Sequence, residues 1–530
     1  MRSAALLFCA AGLPLVVHAQ STPEVIYSKV GGHPTATIPG ALDASGNPVA
    51  AEFRAMEDLV GSTDGTQWLL KGRTQLGSDL ETMLMLGSGD TGSVLIQEGQ
   101  PALGGGWYDF IGSGVGRFNT SGDFAFSVRA RTGATGSTSA TDGQRVLRST
   151  SGVLSLQFKQ LDPYTGLSDT NPSGDETVGN SVGSIHLLDE GTIGCQDSTI
   201  NNIHTSRRPA IFYDRAMFHQ TGVTTILAMG GLGNRPWSTI DANEFFTTPD
   251  GSHWIAEGQV TLPTTGTVRV LVLDGSAVLQ ANETVPGSSL VLGDIFQSAI
   301  SAGGHWISRG RDNSGTAATA PDWLVLDGTR VAETGLPLIT GSSENLGDTF
   351  STLAVDNAGN YAFVASVAGG NAGSDTVLIY NGTHILAREG DPVDLDGNGL
   401  PDDNAFIGRG NNTLAAFVAN NSLFLSADGH AYFLANLRDG DGNDLNTTSS
   451  PAFGTPNALI RVALPSAPPP CDPDLNQDGN VDQDDVSYLI NVVGGGENPT
   501  GIDPDFNHDG NVDQDDVSAL INTVGGAGCP

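Results

Sequence analysis

Basic residues are scarce in this chain of 530 residues: 23 Lys and Arg stand against 59 Asp and Glu, for a net charge of −36. So acidic a protein repels polyanions, which argues against nucleic acid or an anionic bilayer as a partner. Cysteine is scarce too. Four thiols, Cys9, Cys195, Cys471 and Cys529, cannot staple a scaffold of this size. Beyond the first residues no stretch is long and apolar enough to span a bilayer. Charged residues make up only 15% and aromatics 6%, which argues against long solvated helices and leaves few rings for stacking sugars. What the chain has instead is glycine, 71 residues of it, with frequent DG, NG and SG pairs between short apolar runs such as Phe124, Phe126 and Val128. That mix predicts many short strands joined by tight turns, an all-β body.

The opening residues MRSAALLFCAAGLPLVVHAQ place Arg2 before an apolar run from Ala4 to Val17 and small residues before Gln20. This reads as a secretory signal over residues 1–19, cut after Ala19, and predicts an extracellular or cell-surface protein. Phe8 stands where a lipid-attachment signal at Cys9 needs a small residue, so no lipid anchor is expected. Removal of the leader leaves three cysteines. Cys471 and Cys529 bracket the last segment and predict a disulfide clasp in an oxidising compartment, while Cys195 reads as a buried thiol.

A proline-rich linker, LPSAPPP at residues 464–470, separates a body over 20–463 from a tail over 471–530. The body repeats itself. GTQWLLKG from Gly65, GSHWIAEG from Gly251 and GGHWISRG from Gly303 are one pattern, with relatives at Gly122, Gly359 and Gly429 and a looser copy at Gly183. Several copies are followed by two apolar runs joined by Asp-Gly or Asn-Gly, as in WLVLDGTRVAETGLP from Trp323, and such a pair is a two-residue hairpin signal. Each repeat therefore supplies about four strands, and repeats of this length predict a β-propeller of about seven blades. The runs around Val25 and Ile460 are expected to share one blade and close the ring.

Asn119 to Phe126, NTSGDFAF, and Asp356 to Phe363, DNAGNYAF, resemble exported bacterial proteins with tandem Asn-x-x-Gly-x-x-Ala-Phe repeats. That resemblance implies variable C-terminal anchoring modules and no established activity.

The tail writes one cassette twice, DPDLNQDGNVDQDDVSYLINVVGG from Asp472 and DPDFNHDGNVDQDDVSALINTVGG from Asp503. Each copy puts oxygen ligands at loop positions 1, 3, 5, 7, 9 and 12 with glycine at 6, the spacing of a calcium loop. The predicted ligands are Asp474, Asn476, Asp478, Asn480, Asp482 and Asp485, then Asp505, Asn507, Asp509, Asn511, Asp513 and Asp516. After each loop an apolar stripe, Val486, Leu489, Ile490 and Val493 and its repeat from Val517, predicts one short helix. A loop followed by a single helix, duplicated, resembles a type I dockerin. The resemblance implies a small α-helical domain with two calcium ions and a cohesin-like or cell-surface protein as partner. At loop positions 10 and 11, where cellulosomal dockerins tend to carry small hydroxyl residues, this chain has Gln483, Asp484, Gln514 and Asp515.

The body holds a weaker calcium pattern, Asp394, Asp396, Asn398 and Asp402, in which Ala405 occupies position 12 and removes the bidentate ligand. For catalysis little stands out. Gly179 to Gly183 matches a nucleophile-elbow pattern but lies in a strand repeat, and His253 and His305 occupy equivalent repeat positions beside Trp254 and Trp306. The expected function is therefore an exported, non-catalytic propeller that binds a glycan or protein ligand, displayed by the calcium-binding tail. Two alternatives stay open: an extracellular polysaccharide-degrading hydrolase, because dockerins often carry such enzymes, and a structural component of the cell envelope.

Overall fold

The computed structural model describes residues 21–111, 116–133, 135–136, 143–168, 176–200, 209–314, 320–410, 416–419, 422–445, 458–465, 472–502, 504–507 and 512–525. The expected leader, both cysteines of the expected clasp, Cys471 and Cys529, and the loop residues Asp509 and Asn511 lie outside them. The described chain divides into two units, residues 21–464 and the tail.

In the first unit, six antiparallel four-stranded sheets follow one another as blades 1 to 6, at residues 53–97, 107–159, 182–220, 233–280, 292–333 and 346–388. The seventh is composite. Leu423–Ser426, His430–Ala435 and Ala458–Ala463 supply three strands, and Glu24–Ser28 from the far end of the unit adds the outermost. Val25 pairs with Ile460 and Tyr27 with Leu459, as the sequence led us to expect, and Arg461 grips Glu24 at 2.8 Å. The ring is a seven-bladed β-propeller closed by its own N-terminal strand, which leaves no long open edge between first and last blade. Blade 4 goes further: the strand Thr225–Ala228 lies along its outer strand, with Leu227 beside Ser276, and turns the sheet into a closed barrel.

Each blade begins with a tight turn between its first and second strands that ends on a glycine with positive φ. The repeat glycine itself takes this place in five blades, at Gly65, Gly122, Gly251, Gly359 and Gly429; in blade 3 the turn glycine is Gly191 (φ 95°) and in blade 5 it is Gly304 (φ 83°). Gly183 and Gly303 serve close approach instead: a Cβ would meet Asn243 Oδ1 at 2.0 Å and the Asn357 carbonyl oxygen at 2.4 Å.

The third and fourth strands meet in two-residue hairpins whose central residues both have positive φ, as at Asp274-Gly275, Asp327-Gly328 and Asn381-Gly382. In these blades the first turn residue does a second job. Its side-chain oxygen accepts the N–H that opens the second strand, from Trp254 at 2.8 Å, Trp306 at 2.8 Å and Tyr361 at 2.9 Å. Packing between strands relies on glycine giving way to tryptophan: Trp68 is fully buried over Gly87, and Trp323 over Gly310.

Because strands alternate direction, both kinds of tight turn fall on one face of the ring. The longer second-to-third loops and the crossovers between blades fall on the other.

The tail has two helices, α1 (Gln483–Val493) and α2 (Gln514–Val524), packed on each other around Leu475, Val486, Leu489, Phe506, Val517 and Leu520. The predicted stripe was too wide. Ile490 and Ile521 remain 54% and 51% exposed, because two short helices bury only a narrow face, and the loop residues Leu475 and Phe506 fill the core in their place.

Candidate metal centre

In the first tail loop, side-chain oxygens organise the backbone. Asp474 accepts the N–H groups of Asp478 (3.0 Å) and Gly479 (2.9 Å), Asn476 accepts Asp478 N–H (2.8 Å), and Asp478 accepts Asn480 N–H (2.9 Å). Asp485 closes the loop. It is fully buried, accepts Asn476 N–H at 3.1 Å and Asp482 N–H at 2.9 Å, and with Asp482 forms a capping box at the start of α1. The second loop repeats the closure: Asp516, also fully buried, accepts Asn507 N–H at 3.0 Å and Asp513 N–H at 2.7 Å. Hydrogen bonds from three neighbouring amides hold Asp478 below the usual carboxylate range.

The body loop follows the same wiring. Asp394, 3% exposed, accepts Asn398 N–H (3.2 Å) and Gly399 N–H (2.7 Å), Asp396 accepts Asn398 N–H (3.0 Å), and Asn398 accepts Leu400 N–H (2.7 Å). The closing acid is one the sequence reading passed over. Asp403 accepts the N–H groups of Leu395 (2.7 Å) and Asp396 (3.1 Å), whereas Asp402 bonds the Asn398 side chain at 3.2 Å. Oxygens of Asp394, Asp396 and Asp403 lie within 4.8 Å of one another, the carboxylate trio found among the described residues. Asp474, Asp478 and Asp485 do not form such a trio. All three loops offer only oxygen, the donor set of a hard cation such as calcium. The body loop is also tied to the ring closure: Asp394 N–H donates to Pro23 O at 2.9 Å, and Val25 N–H donates to Asp394 O at 2.8 Å.

The remaining sequence candidates fall to structural roles. Ser181 sits at the start of a blade strand with its N–H on Thr199, without the strand-to-helix turn of a nucleophile elbow. Cys195 is fully buried, and desolvation beside Asp197 and Asp214 pushes its thiol well above the usual range, so it is no nucleophile. His253 and His305 each bond the hairpin aspartate of their own blade, Asp274 and Asp327, at 2.6 Å. Of the three tryptophans outside the repeated Trp position, Trp237 and Trp323 are fully buried and offer no sugar platform, and Trp107 is half-buried.

Sequence reasoning missed a set of ionisable groups in the propeller interior. Glu257, 1% exposed, accepts from Ser298 Oγ at 2.6 Å, and burial raises its carboxyl, as it does that of neighbouring Glu244. Both lie at a bulge where residues 241–244 of one strand face Glu257 of the next. No periodicity marks such a bulge in the sequence.

Compared by sequence, no family model and no curated protein matches the chain. By backbone shape it is similar to several solved structures at low identity. The β-propeller domain of the Trilobed protease from Pyrococcus furiosus shares 8% identity, covering 76% of this chain and 100% of that one, with a TM-score of 0.35. Kuenenia stuttgartiensis hydrazine synthase shares 10%, covering 74% and 97%, with a TM-score of 0.32. The polysaccharide lyase Uly1 shares 12%, covering 85% and 98%, with a TM-score of 0.33.

Proposed function

We propose that this protein is an exported, non-catalytic β-propeller binding module, displayed outside the cell by a dockerin-like tail that takes two calcium ions. The observation that carries the reading is the duplicated closure of the tail loops. A carboxylate at position 12, Asp485 or Asp516, is fully buried and joins loop to helix through two backbone N–H groups in each copy. Calcium bound by Asp474, Asn476, Asp478, Asn480, Asp482 and Asp485, and by their counterparts from Asp505 to Asp516, offsets the mutual repulsion of these acids.

A third ion fits Asp394, Asp396 and Asp403 in the body, where it would hold the crossover against the closing strand. Ile490 and Ile521, exposed at equivalent places on α1 and α2, give the tail an apolar surface for a cohesin-like or cell-surface partner. The disulfide between Cys471 and Cys529 belongs to the same reading.

The test is a screen of the full-length protein against glycans for binding and for hydrolysis, in calcium and in chelator. Binding without turnover, together with a chelator-sensitive tail, is the expected result. Turnover of any polysaccharide would overturn the non-catalytic reading, and a tail whose melting ignores chelator would overturn the calcium assignment.

A further inference from the structure

The first strand of blade 4 breaks its register between Ile240 and Phe245, and the first strand of blade 3 breaks between Gly183 and His186. The two breaks interlock. Asn243 (φ 63°) and Ser184 (φ 50°) both hold a left-handed backbone, Asn243 Oδ1 accepts the Ser184 N–H at 3.2 Å, and Ser184 Oγ accepts the Phe245 N–H at 3.2 Å. A residue other than glycine keeps such a backbone only where its neighbours hold it, and such residues cluster at ligand clamps and switches.

On the blade 4 side the neighbours converge on one arginine. Arg269, on the third strand, pairs with Asp241 at the start of the bulge at 2.8 Å and with Asp294 of blade 5 at 2.8 Å. Its Nη2 lies 3.6 Å from Glu257 Oε2, beyond hydrogen-bond reach, and that buried oxygen has no hydrogen-bond partner among the described residues. Three acids thus compete for one guanidinium, and Glu257 is the one left out.

Burial raises the Glu257 carboxyl well above the usual carboxylate range, so it keeps its proton where Asp and Glu are ordinarily ionised. A protonated carboxyl needs no cation, whereas an ionised one sealed from water does. The other charged groups around it do not serve. Arg309 of blade 5 donates to Phe350 O and Gln297 Oε1, the field of Arg117 falls on Glu244, and Asp241, Asp294 and Glu244 are themselves acids. Only Arg269 is within a short rotation of Glu257.

We infer that Arg269 and Glu257 form a pH-operated latch on the bulge of blade 4. With Glu257 protonated, Arg269 grips Asp241 and Asp294, and the bulge stays locked to blade 3. When the proton leaves to water, Arg269 turns inward to the new carboxylate, Asp241 is released, and the tie between Asn243 and Ser184 loosens. Because the folded Glu257 is raised above its unfolded value, the locked state is complete at low pH and is lost as pH rises through the folded value.

The bulge leads straight into Phe246, which carries Arg117 over its ring, and Thr247, which with Arg117 and His186 lines a cavity of about 150 Å³ on the propeller axis. Opening the latch therefore moves the channel wall. The device needs no ligand and stands apart from the reading of the body as a binding module.

The test is hydrogen exchange of the full-length protein, read by mass spectrometry on the segments around Ser184 and Asn243 and corrected for the intrinsic rise of exchange with pH. Protection of both segments is expected to fall about tenfold between about pH 6 and 8.5, the loss of one charge-assisted pair, while blade 1 keeps its protection. Glu257→Gln, which cannot ionise, is expected to hold the protection of both segments across the range. Asp241→Asn weakens the grip on the bulge without titration and is expected to give low protection already at about pH 6.

A wild type whose protection ignores pH, a fall that persists in Glu257→Gln, or full protection of Asp241→Asn at low pH would overturn the latch. So would a fall shared equally by all blades, which is global stability alone.

Discussion

Replacing Asp485 by alanine separates what the tail owes to its own hydrogen bonds from what it owes to calcium. The buried carboxylate accepts two N–H groups, from Asn476 and Asp482. Stranding a buried donor costs about 1–3 kcal/mol, and because Asp482 is exposed and Asn476 half-buried, water recovers part of it. The low end applies to each bond, about 2 kcal/mol in all. For a unit this small, where one core supplies about 3–5 kcal/mol, that is half the stability or more. At roughly 4–8 °C per kcal/mol for a domain near this size, the tail transition of Asp485→Ala in chelator falls by about 8–16 °C. Asp485→Asn keeps one acceptor oxygen and falls by about half as much.

Calcium then reports separately. On the proposed calcium reading, saturating calcium at about 1,000 times its dissociation constant raises wild-type stability by about 4 kcal/mol, and the increment is expected to shrink sharply in both variants because position 12 would supply the bidentate ligand. The assay is scanning calorimetry of the full-length protein in chelator and in calcium. A metal-free transition that does not move in Asp485→Ala refutes the hydrogen-bond account. An undiminished calcium increment refutes the ligand assignment.

Gly87→Ala drives a Cβ to 2.0 Å from the fully buried ring of Trp68 and is expected to cost about 3 kcal/mol, read as a lower urea midpoint of the body; an unchanged midpoint contradicts the packing. Asp327→Ala removes the acceptor for Trp306 N–H and puts alanine at φ 47°, costing about 2 kcal/mol, whereas Asp327→Asn is close to neutral because Asn381 performs the same task in blade 6. Body stability falls as pH rises from about 6.5 to 8, because Glu244, Glu257 and Glu389, the last at about 7, are raised by burial above their unfolded values near 4.3. Their contribution is complete below the unfolded value and is lost as each folded value is passed. His186 and His219, both lowered to about 4, have already made their contribution above about 6.5 and do not offset it. Glu257→Gln flattens the slope, and a melting temperature that climbs across this window refutes the assignment. Asp394→Ala is expected to abolish any calcium-dependent rise in the body's melting temperature and leave that of the tail intact, which the same calorimetry resolves.

Blade count and ring closure were legible because they rest on local chemistry: a positive φ at Asn-Gly or Asp-Gly and β-rich runs at a regular spacing. The reason for two repeat glycines was not legible: Gly183 and Gly303 record a close approach by Asn243 and Asn357 from other blades, a long-range fact no local pattern encodes. The same limit hid Glu244 and Glu257, which are ordinary residues in sequence and become chemically distinct only when the ring surrounds them. The residues proposed as tail ligands stand out in sequence because each set falls within one loop. Asp403 does not, because the template looked for an acid at position 12.

Why the body loop closes at position 10 follows from what comes next in the chain. In the tail, position 12 lies in the first turn of α1, where each residue advances about 1.5 Å and the backbone winds back over the loop. Asp485 therefore returns to the position-3 N–H of Asn476. After Asp402 no helix follows: Ala405 O accepts Val393 N–H at 2.9 Å, and the chain runs on into the strand Phe406–Ile407 at about 3.3 Å per residue. An acid at position 12 would be carried past the loop and into the core, where Ala405 is 1% exposed. To reach the position-3 N–H of Asp396, the closing carboxylate has to come two residues earlier, and Asp403 does. The spacing of the closing acid thus reports the secondary structure that follows the loop. A helix sets it at 12 in both tail copies, and an extended exit sets it at 10 in the body.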